Sequence, residues 1–309
     1  MTAAADQWPV LVVAAVPFAL GALNPWLVGR MGTRLAPATA TVLLTCLALT
    51  VALATGLLLC LAAVIALAEA PFMSGLHHWS PTALRAILPL PPAVWDVSGV
   101  VAVLLLASAA VHLLRVVRQA RHASMAAASL PSLGGDLALL EDDAAIAYAY
   151  PGRHRRIVVS TGMLKRLSAA QRRALLAHED SHLRHHHHRY VHLGRLAAAA
   201  NPLLIPVSRA IDLAVERWAD ESAAQEVGDR KTVARAVAVA ALASAARPAP
   251  GGSLGGARND VGRRVDLLLR PPARQVLAWV LIAATIVVCW TATGFAIEHL
   301  HMLMEHAEA

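Results

Sequence analysis

His178-Glu179-Asp180-Ser181-His182 reads H-E-x-x-H, and the rest of the chain makes sense around it. On a helix, residues four apart lie on one face, so His178 and His182 can both reach one metal ion. Glu179 sits about 100° round the same helix, close enough to hold a water on that ion and take its proton. Zinc suits two imidazoles, and a catalytic zinc needs one more protein ligand and an open position. The spacing therefore predicts one Zn2+ ion held by His178 and His182, with Glu179 as general base. The neighbourhood is rich in histidine, and pairs such as His182/His186 and His188/His192 are also four apart. Only His178/His182 carries a glutamate directly after its first histidine. The run His185-His186-His187-His188 has two readings: a second metal or pH-responsive cluster, or a solvated helix face beside a membrane.

Composition sets this motif in a membrane protein. The 309 residues are 57% hydrophobic and only 15% charged, too apolar for an ordinary soluble domain. Lys165 and Lys231 are the only lysines, so the net charge of +7 is carried almost wholly by arginine. The arginines gather between apolar spans, without the interleaved aromatics that would stack bases. No direct nucleic-acid binding is expected, and positive charge facing the cytoplasm explains the balance. Cys46, Cys60 and Cys289 all fall in apolar runs, which gives neither a disulfide framework nor a cysteine metal site.

Four spans are expected, at about 10–28, 39–68, 97–114 and 276–297. The first has no basic n-region and no clear cleavage site, and reads as retained. Arg30 and Arg34 follow the first span, Arg115, Arg118 and Arg121 close the third, and Arg270 and Arg274 precede the fourth. Counting these charges puts the 30–38 loop and the whole 115–275 segment in the cytoplasm. The N-terminus, the Pro-rich 70–93 loop and the tail lie outside. Trp79 and Trp95 are placed as interfacial anchors. The chain thus divides into a membrane domain (1–114), a cytoplasmic domain (115–275), and a last span with a short tail (276–309).

Within 115–275, Ala144 to Tyr150 reads as a strand, 151–154 as a turn, and Arg156-Ile157-Val158-Val159-Ser160 as the return strand. That second strand is a candidate edge for binding an extended peptide, with an ordinary half-buried strand as the plainer alternative. Ser168 and Gln171 form a capping-box signature, so a helix should start near Ala169 and run through the motif to about Ala199. Asn201-Pro202 stops it. Further helices are expected at about 206–225, 231–246 and 263–269, and 248–260 is a Gly/Pro-rich loop.

The helix at 206–225 carries Glu216-Arg217-Trp218-Ala219-Asp220, beginning 34 positions after His182 (182 to 216). Glu216 can complete a His/His/Glu site, and Asp220, one turn on, can take a hydrogen bond from a ligand histidine's outer nitrogen.

H-E-x-x-H followed by E-x-x-A-D resembles the gluzincin membrane peptidases that include the HtpX-like and Ste24-like proteases. The run P-G-R-x-x-R-I-V-V-S-T-G-M-L (151–164), the capped entry Leu167 to His178, and Arg264-Val265 to Pro272 resemble further pieces of that group. Three spans before the motif and one after resemble the BlaR/MecR-type signal-transducing metallopeptidases of bacteria. The resemblance implies a mainly α integral membrane protein with four transmembrane helices. A cytoplasmic α+β zincin-like domain would be inserted between the third and fourth, in the bacterial cytoplasmic membrane. It implies zinc on His178, His182 and Glu216, Glu179 as base, and Asp220 behind the ligands. It also implies a protein substrate, for example a winged-helix transcriptional repressor. Arg264, in the closing helix, is a weak candidate for contacting substrate at the oxyanion; a plain surface arginine is the alternative. The chain departs from the antibiotic sensors of that type: it ends about a dozen residues after the fourth span and contains no S-x-x-K, so direct β-lactam sensing is not expected. Membrane-protein quality control and a non-catalytic sensor or scaffold are the other roles open to this layout.

Overall fold

The computed structural model describes residues 8–31, 34–67, 90–129, 135–151, 155–244, 260–270 and 276–306. It is mostly helical. In chain order come α1 (Trp8–Met31), α2 (Pro37–Leu67), α3 (Pro92–Ser129), β1 (Leu137–Leu140), β2 (Ala147–Tyr150) and β3 (Arg156–Ser160). There follow α4 (Thr161–Arg166), α5 (Ala169–Arg184), α6 (His187–Ala200), a 3-10 turn (Pro202–Leu204), α7 (Ile205–Val227), α8 (Arg230–Ser244), α9 (Val261–Leu269) and α10 (Val276–His306). The expected loops at 70–89 and 248–259, with Trp79, and most of the 151–154 turn lie outside the described residues.

Among the described residues, three helices are long and apolar enough to cross a membrane: Pro37–Leu67, Ala93–His122 and Trp279–Met302. The apolar run in α1, Leu11–Leu23, is shorter. Helix α2 has 31 residues, about 46 Å at 1.5 Å per residue, against a hydrocarbon layer of about 30 Å. Its N-terminal half has another use. Leu44, Leu47, Ala48 and Val51 are buried against Val207, Ile211, Ala214 and Val215 of α7 and against Ile282 of α10. Four of the five threonines on this helix are buried too, and three of them satisfy their hydroxyls on carbonyls one turn back: Thr41 on Pro37, Thr45 on Thr41 and Thr55 on Val51. Thr55 Oγ1 also accepts from Asn201 Nδ2 at 3.1 Å, which ties the tip between α6 and α7 to the middle of α2. That hairpin closes tightly because Gly194 has no side chain: a Cβ there would lie 2.8 Å from Ile211 Cδ1.

At the other end of α2, Ile65 packs with Trp95 of α3 and Leu300 of α10. Trp95 is 5% exposed, so it joins three helix ends and is not the interfacial anchor its position suggested.

The sheet corrects the expectation for β3. The strand order is β1-β3-β2, with β3 parallel to β1 and antiparallel to β2. Arg156, Ile157, Val158, Val159 and Ser160 therefore form the middle strand, paired on both sides, and cannot take up a further strand. Its residues from Ile157 to Ser160 are buried, as a central strand requires. The edges belong to β1 and β2. Ser160 ends the strand by capping α4, its Oγ accepting from the Met163 amide at 3.0 Å.

Candidate active site

Helix α5 starts where its capping box says it should. Ser168 Oγ accepts from the Gln171 amide, and the Gln171 side chain accepts from the Ser168 amide at 2.9 Å. Ala174 and Ala177 bury one face of the helix against α7 and α8, and this sets His178 and Glu179 inside the protein.

The helix does not run on to Ala199. It ends at Arg184, and His186 takes a left-handed conformation (φ 53°) before α6 begins at His187. Neither Gly nor Pro marks this break. Histidine is among the few residues that visit the left-handed region with any frequency. The break divides the histidine run. His186 is exposed, His185 and His188 are half-buried, and His187 is 1% exposed. The run is thus neither a continuous helix face nor wholly solvated.

Helix α7 brings Glu216 and Asp220 against the motif. The Nε2 atoms of His178 and His182 lie 3.1 Å apart. Glu216 Oε2 lies 3.6 Å from His178 Nε2, and its Oε1 lies 3.7 Å from His182 Nε2. The three donor atoms fall within 4.8 Å of one another. With bonds of 2.0–2.2 Å, ligands on a tetrahedral zinc stand roughly 3.3–3.6 Å apart. The observed separations fit such an ion, and two imidazoles with a carboxylate are a suitable donor set.

Asp220, 2% exposed, puts Oδ1 3.0 Å from His178 Nδ1. Arg264 of α9 then clamps both carboxylates. Its Nε and Nη2 donate to the two oxygens of Asp220 at 2.9 and 2.7 Å, and its Nη1 lies 2.8 Å from Glu216 Oε2. Arg264 is buried at 8% exposure and is no surface arginine. His182 has a different neighbour: its Nδ1 lies 3.0 Å from Nδ1 of His187. Trp218 packs on His187 and stacks on His185, with ring centres 4.8 and 4.7 Å away.

This enclosure shifts the ionisable groups. Burial pushes the Glu179 carboxyl up to about 7, and the Glu216 charge adds to the rise. For Glu216 and Asp220 burial acts in the same direction, but Arg264 and His178 outweigh it and hold both below the usual carboxylate range. Burial opposes charge on His178, yet Asp220 and Glu216 override it and raise this imidazole to about 10. Burial lowers His182 to about 4 and His187 to about 3.

A cavity of about 520 Å³ opens beside the cluster. His178, Glu179, His182, Glu216 and Arg264 line one part of it, and Ala147, Tyr148 and Ala149 of the edge strand β2 line another. The structure thus brings together His178, Glu179, His182, Glu216, Asp220 and Arg264. Of the β3 residues, none is among those lining the cavity. The sequence reading missed His187, Trp218 and β2 as the cavity-lining strand. A strand pairing order has no local signature, and the inward turn of His187 follows from one backbone angle.

Residues 113–194 match the sequence model of peptidase family M48. The match covers 82 of the 309 residues, from the end of α3 through the sheet and the H-E-x-x-H into α6. It indicates a metallopeptidase, a hydrolase acting on peptide bonds. Comparisons with curated proteins and with solved structures found no match.

Proposed function

We propose that this protein is an integral-membrane zinc metalloendopeptidase whose site faces the cytoplasm and cleaves a protein substrate in regulatory proteolysis. The observation that carries the reading is the convergence of His178, His182 and Glu216, braced from behind by Asp220 and Arg264, at a cavity lined by an open strand edge.

His178, His182 and Glu216 would hold one zinc ion, which when bound supplies Lewis acidity to the scissile carbonyl and the attacking water. Glu179, buried on the cavity wall, takes the proton from that water and hands it to the departing amine. Without a metal the carboxyl stands near 7, and a cation held beside it would shift it toward the ionised form that accepts the proton. Arg264 keeps Glu216 and Asp220 ionised, and Asp220 holds the His178 ring with Nε2 toward the site. An extended peptide would add to the free edge of β2 by main-chain hydrogen bonds, with Tyr148 beside it.

The packing supports a site close to the membrane surface. Arg217, next to Glu216, reaches the Leu35 carbonyl just before α2 begins. The stretch 196–208 at the tip of α6 and α7 has no charged residue, lies between Arg195 and Arg209, and exposes Leu203 and Ile205. This tip dips into the bilayer beside α2. The arginines at the end of α1 and just after it, in the second half of α3 and before α10 favour a cytoplasmic site. Counting α1, whose apolar run is the shorter one, as a span puts three before the motif and one after, an order that favours a signalling peptidase acting on a transcriptional repressor over a quality-control protease.

The reading is tested with purified protein in detergent and a loosely folded substrate such as casein. Cleavage should stop on chelation and return with about one equivalent of zinc. Cleavage that survives complete metal removal would overturn it. Cysteine labelling in whole cells tests the orientation: a cysteine replacing exposed Arg155 should be protected from an impermeant reagent added outside and labelled once the cells are opened, and labelling in intact cells would contradict a cytoplasmic site.

A further inference from the structure

The two ligand histidines are braced by different chemistry. Behind His178 stands the Asp220 carboxylate. Behind His182 stands a second imidazole, His187, at 3.0 Å between Nδ1 atoms. We propose that His187 is a positioning residue for the metal site, whose Nδ1 accepts the Nδ1–H of His182 and so fixes that ligand's tautomer and ring plane. The inference rests on the zinc-site reading given above.

A neutral imidazole has one donor and one acceptor nitrogen. A His182 that offers Nε2 to a metal carries its proton on Nδ1, and the atom facing that proton is Nδ1 of His187. His187 therefore accepts there and is itself protonated on Nε2. Its Nε2 is buried and finds no polar partner among the described residues, so the contact with His182 is the hydrogen bond that orients this ring. A leucine would fill the same volume without burying a half-satisfied polar group.

Two features of the fold hold the ring in place. The left-handed turn at His186 leaves the His187 ring 4.9 Å from that of His182, where a continuous helix would carry residue 187 about 140° round the axis from His182. Trp218, between Glu216 and Asp220 in sequence, packs against His187 with ring centres 4.8 Å apart. Helix α7 thus supports both ligands, His178 through Asp220 and His182 through Trp218 and His187.

The test compares His187→Leu with His187→Asn, using zinc affinity measured by chelator competition and cleavage at saturating zinc. Leucine keeps the bulk and removes the acceptor. Asparagine places an acceptor oxygen near the lost Nδ1. Removing an outer partner of this kind weakens metal binding about 10–100-fold, so leucine should show that loss and asparagine should recover most of it. Equal affinities in wild type and His187→Leu would overturn the proposal. Equal weakening in both variants would also overturn it, because the residue would then act through packing alone. His182→Ala separates this failure from a failure of the site itself. If wild type binds one zinc and His182→Ala none, while His187→Leu matches wild type, the zinc site stands and the role of His187 falls.

Discussion

One histidine-rich stretch holds two kinds of histidine. His178 and His182 sit in an unbroken helix, face each other through Nε2, and meet Glu216 within reach of one ion. Three residues later the same residue type straddles a helix break, and each copy has its own surroundings. The difference lies in what α7 brings up to each. It presents two carboxylates to the first pair and an indole to His185 and His187. Metal-binding capacity here is set by the opposing helix as much as by the histidines.

The largest effect should come from the first pair. His178→Ala or His182→Ala should abolish bound zinc and reduce cleavage by at least ~10⁴-fold, read by metal analysis beside a peptidase assay. Zinc that persists in either variant would move the site to the 185–188 run and erase the contrast.

Next in size is the clamp. Arg264→Leu strands the buried Asp220 carboxylate and the partly buried Glu216, and breaking a buried pair on one side costs about 3–5 kcal/mol. A fall of roughly 10 °C in the metal-free thermal midpoint is expected. An unchanged midpoint would mean that Glu216 and Asp220 find other partners.

Asp220→Asn should be milder. It keeps the shape and weakens the support of His178, lowering zinc affinity about 10–100-fold with the fold intact. The smallest effect belongs to the break. His186→Gly suits the positive φ and should leave activity within about twofold and the thermal midpoint unchanged or slightly raised. A large loss of activity would show that the exposed His186 ring has a part in the site.

Much of this was legible before the structure. Hydropathy located α2, α3 and α10, the Ser168/Gln171 signature placed the start of α5, and two i,i+4 patterns picked out His178/His182 and Glu216/Asp220. Each of these signals is local. What escaped was nonlocal or fell on one residue. Helices α2 and α3 have nearly equal hydropathy, 2.5 and 2.4, yet 44% of one span window is buried and 6% of the other. Apolar composition says which solvent a helix tolerates and not which neighbours it has, although the four buried threonines of α2 hint at protein contact. Strand β3 has three apolar residues in a row, Ile157-Val158-Val159, which speaks for burial on both faces but not for which strands flank it, so its central place had to come from pairing. Arg264 became a clamp because α9 packs on α7, a contact 44 residues from Asp220 along the chain.

The central claim is that Glu179 acts on a substrate water at a zinc site built by its neighbours. Glu179→Gln keeps the size of the side chain and removes the base. Zinc content and casein cleavage should be measured together in this variant and in wild type, both purified in detergent. The account predicts equal zinc, about one ion per chain, with cleavage lost by several orders of magnitude in the variant. Equal cleavage by the two proteins would contradict it.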